Sequence, residues 1–449
     1  MNRIIIIGNG FDRAHNLRTG YKEFIDDYWS DFITNTTALV SGTGNPYYII
    51  KPFKDKYVSL EENDPNQMTL SIPVTAFERP KSYKELTEFI NEYNKQNRLN
   101  RFQLNFENDF FKQISEQCSF KNWLDIENKY YEELKKILSD EDTSRRNARV
   151  KRLNKELKAV EELLEDHLTK VTKKSNRIKF QSIQEAFSSP VELNDIATCK
   201  KHEFLNSVFF KFNIDGDIYL YEDYKNKEHE YDGHNTEDQI QRNFIEHNIK
   251  DEFFKKEYCK PNTLLLNFNY TKTAENLYIK EDMNFEIINI HGELDNEDNP
   301  IIFGYGDELD EDYQKIEKTQ DNDFLENIKS IKYHQTCNYR DLLKFIETGI
   351  YQVFVMGHSC GNSDRTLLNT LFEHNNCASI KVFYWQPEEG KDDYSNLIRN
   401  ISRNFNDKPK MRDIVVNREY CSPLVPFNEK ALLKNQNIQN VSELISVQL

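Results

Sequence analysis

Residues 4–12 read Ile-Ile-Ile-Ile-Gly-Asn-Gly-Phe-Asp, an uninterrupted apolar run followed at once by a glycine turn. A continuous β-branched run, without the alternation of a half-exposed strand, predicts a buried strand of a parallel sheet. Glycines at the end of such a strand suit a turn that takes positive φ or lets a ligand approach the backbone. The opening of the chain therefore predicts a nucleotide-binding α/β fold.

The same pattern of strand and glycine turn returns in the second half of the chain. Strands that alternate with helical patterns predict a parallel sheet covered on both faces, which is a Rossmann-like, doubly wound α/β fold. We expect the strand at 3–7 to lie in one sheet with those at 263–268, 285–290 and 351–356, despite the long stretch between them. Further strands are predicted at 300–303, 379–384 and 412–416.

The stretch between the two halves has a different character. Residues 35–258 are rich in lysine and glutamate and carry long helical patterns, which predicts a large, mostly helical insertion. Residues 1–34 plus 259–425 then form one discontinuous nucleotide-binding domain, and residues 426–449 form a C-terminal extension. Apolar residues recur every three or four positions from Val150 to Val171, which predicts a helical hairpin or short coiled coil. Such a stripe packs the insertion or joins two copies of the chain.

Composition narrows the class of protein. The 449 residues carry a net charge of −16, which disfavours nucleic acid as a partner. The seven cysteines are isolated, so neither a disulfide framework nor a four-cysteine zinc site is indicated, and no metal is expected. The sequence shows no apolar run of membrane-spanning length and no signal-peptide pattern. We therefore expect a folded cytoplasmic protein with no membrane association.

Polar residues follow two of the predicted strands. Asn267-Phe268-Asn269-Tyr270-Thr271 follows the strand at 263–268, and His291 with Gly292 follows the strand at 285–290. Because the carboxyl ends of parallel strands open on one crevice, Asn269 and His291 are expected to face the same ligand. Asn269 then contacts a ribose hydroxyl or a water, and His291 acts as a base or contacts the ribose. An asparagine that caps the next helix and a structural histidine are the alternatives.

A third turn follows the strand at 351–356. Gly357, His358 and Ser359 are expected to offer amides and a hydroxyl to a phosphate or ribose, and Ser363 or Asp364 to cap the next helix. The spacing Gly-x-Ser-x-Gly from Gly357 to Gly361 also occurs in serine hydrolases. However, Asp364 and His374 come too early in the chain to be the acid and histidine of such an enzyme.

Taken together, these motifs resemble the AbiH family of bacterial phage abortive-infection proteins. The resemblance rests on residues 4–12, on Tyr21-Lys22-Glu23-Phe24, on the segment 122–127 and on the turns after the later strands. The same motifs are more distantly similar to the sirtuin-like NAD-binding fold. By that similarity, Asn269 lies near the nicotinamide ribose and His291 is the catalytic histidine. The implied contacts to the dinucleotide are Gly8, Asn9, Gly10, Phe11, Asp12, Asn267, Gly357, His358 and Ser359.

The resemblance implies an antiphage effector that cleaves NAD as its substrate. Thr271 replaces the aspartate of sirtuins, and their zinc-ribbon cysteines are missing, which disfavours protein deacetylation. Because segment 122–127 belongs to the resemblance, Asp125 or Glu127 is expected to reach the crevice. Two alternatives stay open. One is a non-catalytic nucleotide-binding sensor that engages a phage-derived trigger or a second copy through the insertion. The other is a metal-dependent nuclease that uses Asp125, Glu127 and a histidine.

Overall fold

A computed structural model gives the fold of most of the chain. It describes residues 1–40, 47–63, 72–73, 79–96, 101–120, 125–174, 177–216, 218–231, 235–280 and 284–431.

The strands form one six-stranded sheet and two small three-stranded sheets. The large sheet has the order β12-β11-β10-β1-β8-β9, and its neighbouring strands pair in parallel. The described strands are β1 (Asn2–Ile7), β2 (Thr37–Val40), β3 (Tyr47–Ile50), β4 (Phe53–Lys54), β5 (Val58–Glu62), β6 (Ile72–Pro73), β7 (Phe102–Phe106), β8 (Asn262–Asn267), β9 (Phe285–Asn289), β10 (Tyr351–Met356), β11 (Cys377–Tyr384) and β12 (Ser422–Pro423).

The sheet order follows the doubly wound plan. From β1 the chain adds β8 and β9 on one side and then β10, β11 and β12 on the other, which is the order 3-2-1-4-5-6 of dinucleotide-binding sheets. The predicted α/β class is confirmed, as is the placement of the first strand with those near 263–268, 285–290 and 351–356. The order reverses between β1 and β10, and at their carboxyl ends this topology leaves a crevice for ligands.

The helices fall into three stretches of the chain. After α1, which follows β1, helices α2 to α6 belong to the region around the two small sheets. Helices α7 to α11 come next, and α12 to α18 alternate with the later strands. The described α-helices are α1 (Asn9–Ala14), α2 (Tyr21–Thr36), α3 (Tyr83–Gln96), α4 (Asp109–Phe120), α5 (Ile126–Leu138), α6 (Thr143–Lys174), α7 (Gln181–Ser188), α8 (Lys201–Asp215), α9 (Ile218–Tyr231), α10 (Glu237–Asn248), α11 (Glu252–Tyr258), α12 (Thr273–Tyr278), α13 (Glu311–Lys318), α14 (Lys329–Lys332), α15 (Asn338–Glu347), α16 (Arg365–Glu373), α17 (Tyr394–Arg403) and α18 (Lys408–Ile414).

Burial on both faces explains the continuous apolar run of the first strand. Ile4 and Ile6 enter one core with α15, α16 and α17, whereas Ile5 and Ile7 enter another with α7 and α12. All four isoleucines are at most 1% exposed. A fully covered central strand has no solvent face, so it needs no polar alternation.

The apolar stripe of the insertion is part of an intramolecular core. Val150, Leu157 and Leu164 lie on the long helix α6 and are buried against α2, α4 and α5. Ile301 and Phe303 from the second half of the chain join the same core. The stripe therefore packs the helical region, and it does not offer a surface to a second copy.

The later part of the insertion packs against the large sheet. Phe180 and Phe187 lie in the core with Ile5 and Ile7. Helices α8, α10 and α11 share a core with Ile350 and Ala378, which lie at the amino-terminal ends of β10 and β11. The predicted domain boundaries at 34, 258 and 425 stay predictions.

Two predicted strands are wrong. Residues 300–303 form no strand, because the turn at Gly292 packs against Pro300. The next residues of this segment, Ile301 and Phe303, are buried in the helical core. Residues 408–414 form α18, since Asp407 caps that helix and Pro409 lies in its first turn. Val415 contributes only a single bridge to Ile380, and β12 takes the edge of the sheet.

No described helix combines the length and the apolar character needed to cross a membrane.

Candidate functional site

Two glycine turns meet at the carboxyl ends of β1 and β10. The amide of Gly10 donates to the carbonyl of Gly357 at 2.7 Å, and the amide of Gly8 donates to Met356 at 3.2 Å. A Cβ on Gly357 would lie 2.1 Å from the nitrogen of Phe11, and Gly357 itself has φ +72°. Glycine is required here because one backbone lies directly against another.

This contact changes what the first turn offers a ligand. The amides of Gly8, Gly10 and Phe11 all donate to backbone carbonyls of the chain, Phe11 to Gly8 at 2.8 Å. The side chain of Asn9 hydrogen-bonds with Thr19 through both its amide nitrogen and its oxygen. The predicted contacts of these residues with a diphosphate stay predictions, and in this structure their polar groups hold the turn.

Asp12 lies beneath this turn, almost fully buried. Its Oδ2 accepts from the hydroxyl of Thr271 at 2.6 Å, and its Oδ1 has no hydrogen-bond partner in the described part of the chain. Burial raises the pKa of Asp12 to about 6, against the hydrogen bonds from Thr271 and Thr273. Asp12 is therefore a poorly compensated buried charge.

The turn after β8 is held by its two asparagines. Asn267 donates to the carbonyl of Thr271 and to the side chain of Asn289, both at 2.9 Å, and its oxygen accepts from the amide of Asn269. Asn269 in turn donates to the carbonyl of Gly8 at 3.1 Å. The asparagines therefore join the ends of β1, β8 and β9, and Asn269 does not cap the next helix, which begins at Thr273.

His291 and His358 share one carboxylate. Asp364 has Oδ1 3.3 Å from Nε2 of His291 and Oδ2 3.4 Å from Nε2 of His358. The ring of Phe268 lies between the two imidazoles, with ring centroids 4.9 Å and 4.4 Å away. The structure thus brings two of the predicted residues and Asp364 into one cluster. The carboxylate of Asp364 points to the histidines and does not cap α16.

A buried lysine completes the cluster. Nζ of Lys329 lies 2.7 Å from Oδ1 of Asp364 and 3.0 Å from Oε2 of Glu127, and Lys329 is 1% exposed. Glu127 also accepts from the amide of Gly304 at 3.3 Å. Glu127 comes from α5 of the helical region, so the cluster joins that region to the end of the sheet. We call Glu127, Lys329, Asp364, His291 and His358 the ion cluster.

Electrostatics fix the protonation of the cluster. Burial alone would raise the pKa of Asp364, but Lys329 and the two histidines hold it well below its usual range. Burial, with a smaller contribution from the charge of Lys329, lowers the pKa of His291 to about 4 against the pull of Asp364. Burial also raises the pKa of Glu127, although Lys329 opposes this shift. At neutral pH the cluster therefore holds an ionised Asp364 beside a neutral His291.

The two histidines differ in the nitrogen they leave free. His358 accepts from the amide of Cys360 at Nδ1, so its Nε2 carries the proton and donates to Asp364. In His291 the Nε2 faces Asp364 and the hydroxyl of Tyr333, which leaves Nδ1 with the lone pair. His291 can therefore accept a proton, whereas both nitrogens of His358 are already used.

Ser359 and Asp125 are not members of the ion cluster, although Asp125 lies close enough for the charges of Lys329 and Asp364 to act on its pKa. Ser359 is exposed and its carbonyl accepts from Asn400 at 2.8 Å. Asp125 is the N-cap of α5, where its carboxylate accepts from the amide of Asn128 at 2.9 Å. Residues 122–124 of the segment 122–127, on which the resemblance partly rests, lie outside the described residues.

Sequence reasoning missed Lys329, and one signal pointed near it. The cluster Gly304-Tyr305-Gly306 is one of the glycine-rich turns of the chain. The carbonyl of Tyr305 accepts from the amide of Lys329, and a Cβ on Gly306 would lie 3.3 Å from that of Lys329. The unexplained glycine turn thus marked the segment against which the lysine packs.

Comparison with known proteins gives one family. A family model described as bacteriophage abortive infection AbiH matches residues 4–385, which include every member of the ion cluster. Neither a curated protein nor a solved structure matches the chain.

Proposed function

The chain belongs to the bacteriophage abortive infection family AbiH, and we propose that it acts in abortive infection as an NAD glycohydrolase. The observation that carries this proposal is the neutral His291 beside an ionised Asp364 at the carboxyl end of a doubly wound parallel sheet. Sheets of this order bind nucleotides at that end. A neutral imidazole held by a carboxylate is the usual arrangement of a general base.

The proposed reaction cleaves the bond between the nicotinamide nitrogen and C1 of its ribose. The bonding electrons leave with nicotinamide, a water oxygen bonds to C1, and Nδ1 of His291 accepts the proton of that water. Asp364 stabilises the imidazolium that forms, and Lys329 keeps Asp364 ionised. Asn269 orients the ribose or the water from the neighbouring turn, where it already bonds to Gly8. The products are ADP-ribose and nicotinamide.

Burial of the ion cluster is consistent with an enzyme that is inactive before infection. Each of its five members is buried. NAD reaches His291 only after the segments around it move apart. We therefore place the trigger, a component of the infecting phage, upstream of that movement.

The test is to follow NAD in infected cells that carry the wild type or a histidine variant. We expect NAD to fall after infection with the wild type, and His291→Asn to reduce the rate of loss on the order of a hundredfold. His374→Asn is the matched control, because His374 also pairs with a carboxylate, Glu347 at 3.3 Å, but precedes β11 at the amino-terminal end of the sheet. Purified protein incubated with NAD, with products separated by chromatography, identifies the bond that breaks.

A second candidate function is a nucleotide sensor without catalysis. It is favoured by the burial of all five members of the ion cluster, because buried ion pairs can hold a fold together without contacting a substrate. Protection that persists with unchanged NAD, together with nucleotide binding in calorimetry and no products, would favour the sensor over the enzyme.

The nuclease hypothesis gains no support from the geometry. Glu127 bonds to Lys329 and Gly304, and Asp125 caps α5. Among the residues that the structure describes, no three histidine, cysteine or acidic side chains are arranged to hold a metal ion.

A further inference from the structure

Helices α8 and α9 carry a group of large apolar side chains that face solvent. Phe210 is 69% exposed, Ile214 is 64% exposed and Tyr219 is 81% exposed. Scattered single apolar residues on a surface are ordinary, but a contiguous group marks an interaction site. We call Phe210, Ile214, Ile218, Tyr219, Leu220 and Phe253 the apolar tip.

The members of the apolar tip are brought together by the fold. Phe210 and Ile214 are four residues apart on α8 and so lie on one face of that helix. Leu220 and Tyr219 begin α9, whose Tyr221 packs on Phe209 of α8 with ring centroids 4.8 Å apart. The tip is thus the outer side of a helical hairpin whose inner side is a well-packed core.

Phe253 reaches the same region from α11. Its neighbour Phe254 is buried against Phe212 of α8, with ring centroids 5.7 Å apart. Phe253 itself is 76% exposed, so α11 extends the apolar surface beside α8. Phe253 therefore adds an exposed ring on α11, one residue from the ring that packs on α8.

We propose that the apolar tip is the surface through which two copies of this chain form a twofold dimer. Its six side chains expose on the order of 700 Å², which is close to the ~800 Å² that each partner buries in a stable interface. The interface lies on the helical insertion but away from the stripe of α6, whose residues are already buried within one chain.

Charge favours a second copy as the occupant. The whole chain carries a net charge of −16, so two copies repel unless they meet where charge is sparse. Residues 204–221 contain only Lys211, Asp215 and Asp217 as charged residues. Lys211 and Asp215 are one helical turn apart on α8, and the ammonium of Lys211 donates within the chain to the carbonyl of Glu257 at 2.9 Å. Antiparallel pairing of two α8 helices around residue 213 places each lysine opposite the other copy's aspartate, to which its remaining donors can turn.

Sedimentation velocity of the purified full-length chain tests the proposal. Between about 1 and 50 μM we expect a species of twice the 53.5-kDa mass of one chain. Phe210→Glu with Tyr219→Glu places two like charges at a self-complementary surface, and the dimer dissociation constant should rise at least a hundredfold. Trp385→Glu with Tyr420→Glu is the matched control, because both residues are exposed aromatics near the end of β11 and the start of β12.

Charge reversal at Lys211 and Asp215 tests whether the two copies are related by a twofold axis. Lys211→Asp and Asp215→Lys should each weaken the dimer about tenfold, and the double variant, which restores opposite charges, should recover most of the loss. Phe210→Ala with Tyr219→Ala should weaken it with no added charge, which keeps the test valid if the glutamate variant unfolds. A wild type that stays monomeric at 50 μM overturns the proposal. A dimer that survives all the tip substitutions overturns it as well.

Discussion

The large sheet has a buried ionic group at each end, and the two are built differently. At the amino-terminal end, Arg3 donates to Gln352 and to the carbonyls of Ser189 and Pro190, and Asp195 pairs with Lys381 at 2.9 Å. At the other end, the ion cluster alternates acid, lysine, acid and histidine, and one imidazole nitrogen carries a free lone pair.

The two groups differ in whether they contain a base that can accept a proton. Arg3 is bound by neutral acceptors that lock the segment around residue 190 onto β1 and β10, and burial lowers its pKa to about 9. The ion cluster instead holds a neutral base against an ionised acid. Arg3 and Lys329 are each at most 1% exposed, so the two ends differ not in burial but in the lone pair on Nδ1 of His291, which the proposed reaction uses.

The largest expected effect is the loss of the central lysine. Lys329→Met leaves Asp364 and Glu127 buried without a counter-charge, and we expect a loss of about 3–5 kcal/mol in the free energy of unfolding. Lys381→Met at the amino-terminal end should cost only about 2 kcal/mol, because Asp195 keeps its hydrogen bond from Gln352. Urea denaturation of both variants measures the difference. Equal losses of unfolding free energy in the two variants would show that the ionic groups at the two ends of the sheet stabilise the fold to the same extent.

The next effect concerns the glycines at the two ends of β10. Gly357→Ala should cost about 3 kcal/mol or more, because its φ is +72° and the new Cβ would lie 2.1 Å from the nitrogen of Phe11. Gly349→Ala, before the same strand, carries only the cost of a φ of +155°, about 1 kcal/mol, since nothing lies within 4 Å. Thermal denaturation compares them. If Gly357→Ala is as mild as Gly349→Ala, the two turns do not lie in contact in solution.

The smallest effect is a stabilising one at Asp12. Its folded-state pKa of about 6 exceeds the ordinary 3.8, so ionisation destabilises the fold progressively as pH rises between these values. Asp12→Asn removes that charge and keeps an oxygen to accept from Thr271. We expect a gain of about 2 kcal/mol at pH 7.5 and almost none at pH 4. Urea denaturation at the two pH values tests this, and a loss at pH 7.5 would contradict it.

The fold could be predicted because each central strand has its own local signature. Ile4 to Ile7 form a buried run that ends in glycine, and the run at 351–356 also ends in glycine, whereas the run at 263–268 leads into Asn269. The failures at 300–303 and 412–416 have physical causes. Apolar residues at 300–303 pack into a tertiary core and form no strand, and Asp407 with Pro409 starts a helix that continues to residue 414.

The candidate site was predictable only in part. His291 and His358 each lie two residues after a strand, and Asp364 lies in the turn between β10 and α16, so strand ends and sheet topology bring them together. Lys329 follows no strand, and neither its spacing nor its neighbours distinguish it from the other lysines of the chain. Glu127 came from the family resemblance alone. Pairing between α5, α14 and the end of β10 depends on tertiary packing, which a periodic pattern in the sequence does not encode.

The position of β1 at the centre of the sheet sets an order for the synthesis of the chain. Both neighbours of β1, namely β8 and β10, lie more than 250 residues after it. At typical translation rates that interval is roughly 15 to 50 seconds, during which the first strand has no partner. The site is then finished only when the ribosome has passed Asp364. A chain whose translation stops before residue 364 therefore cannot assemble the cluster.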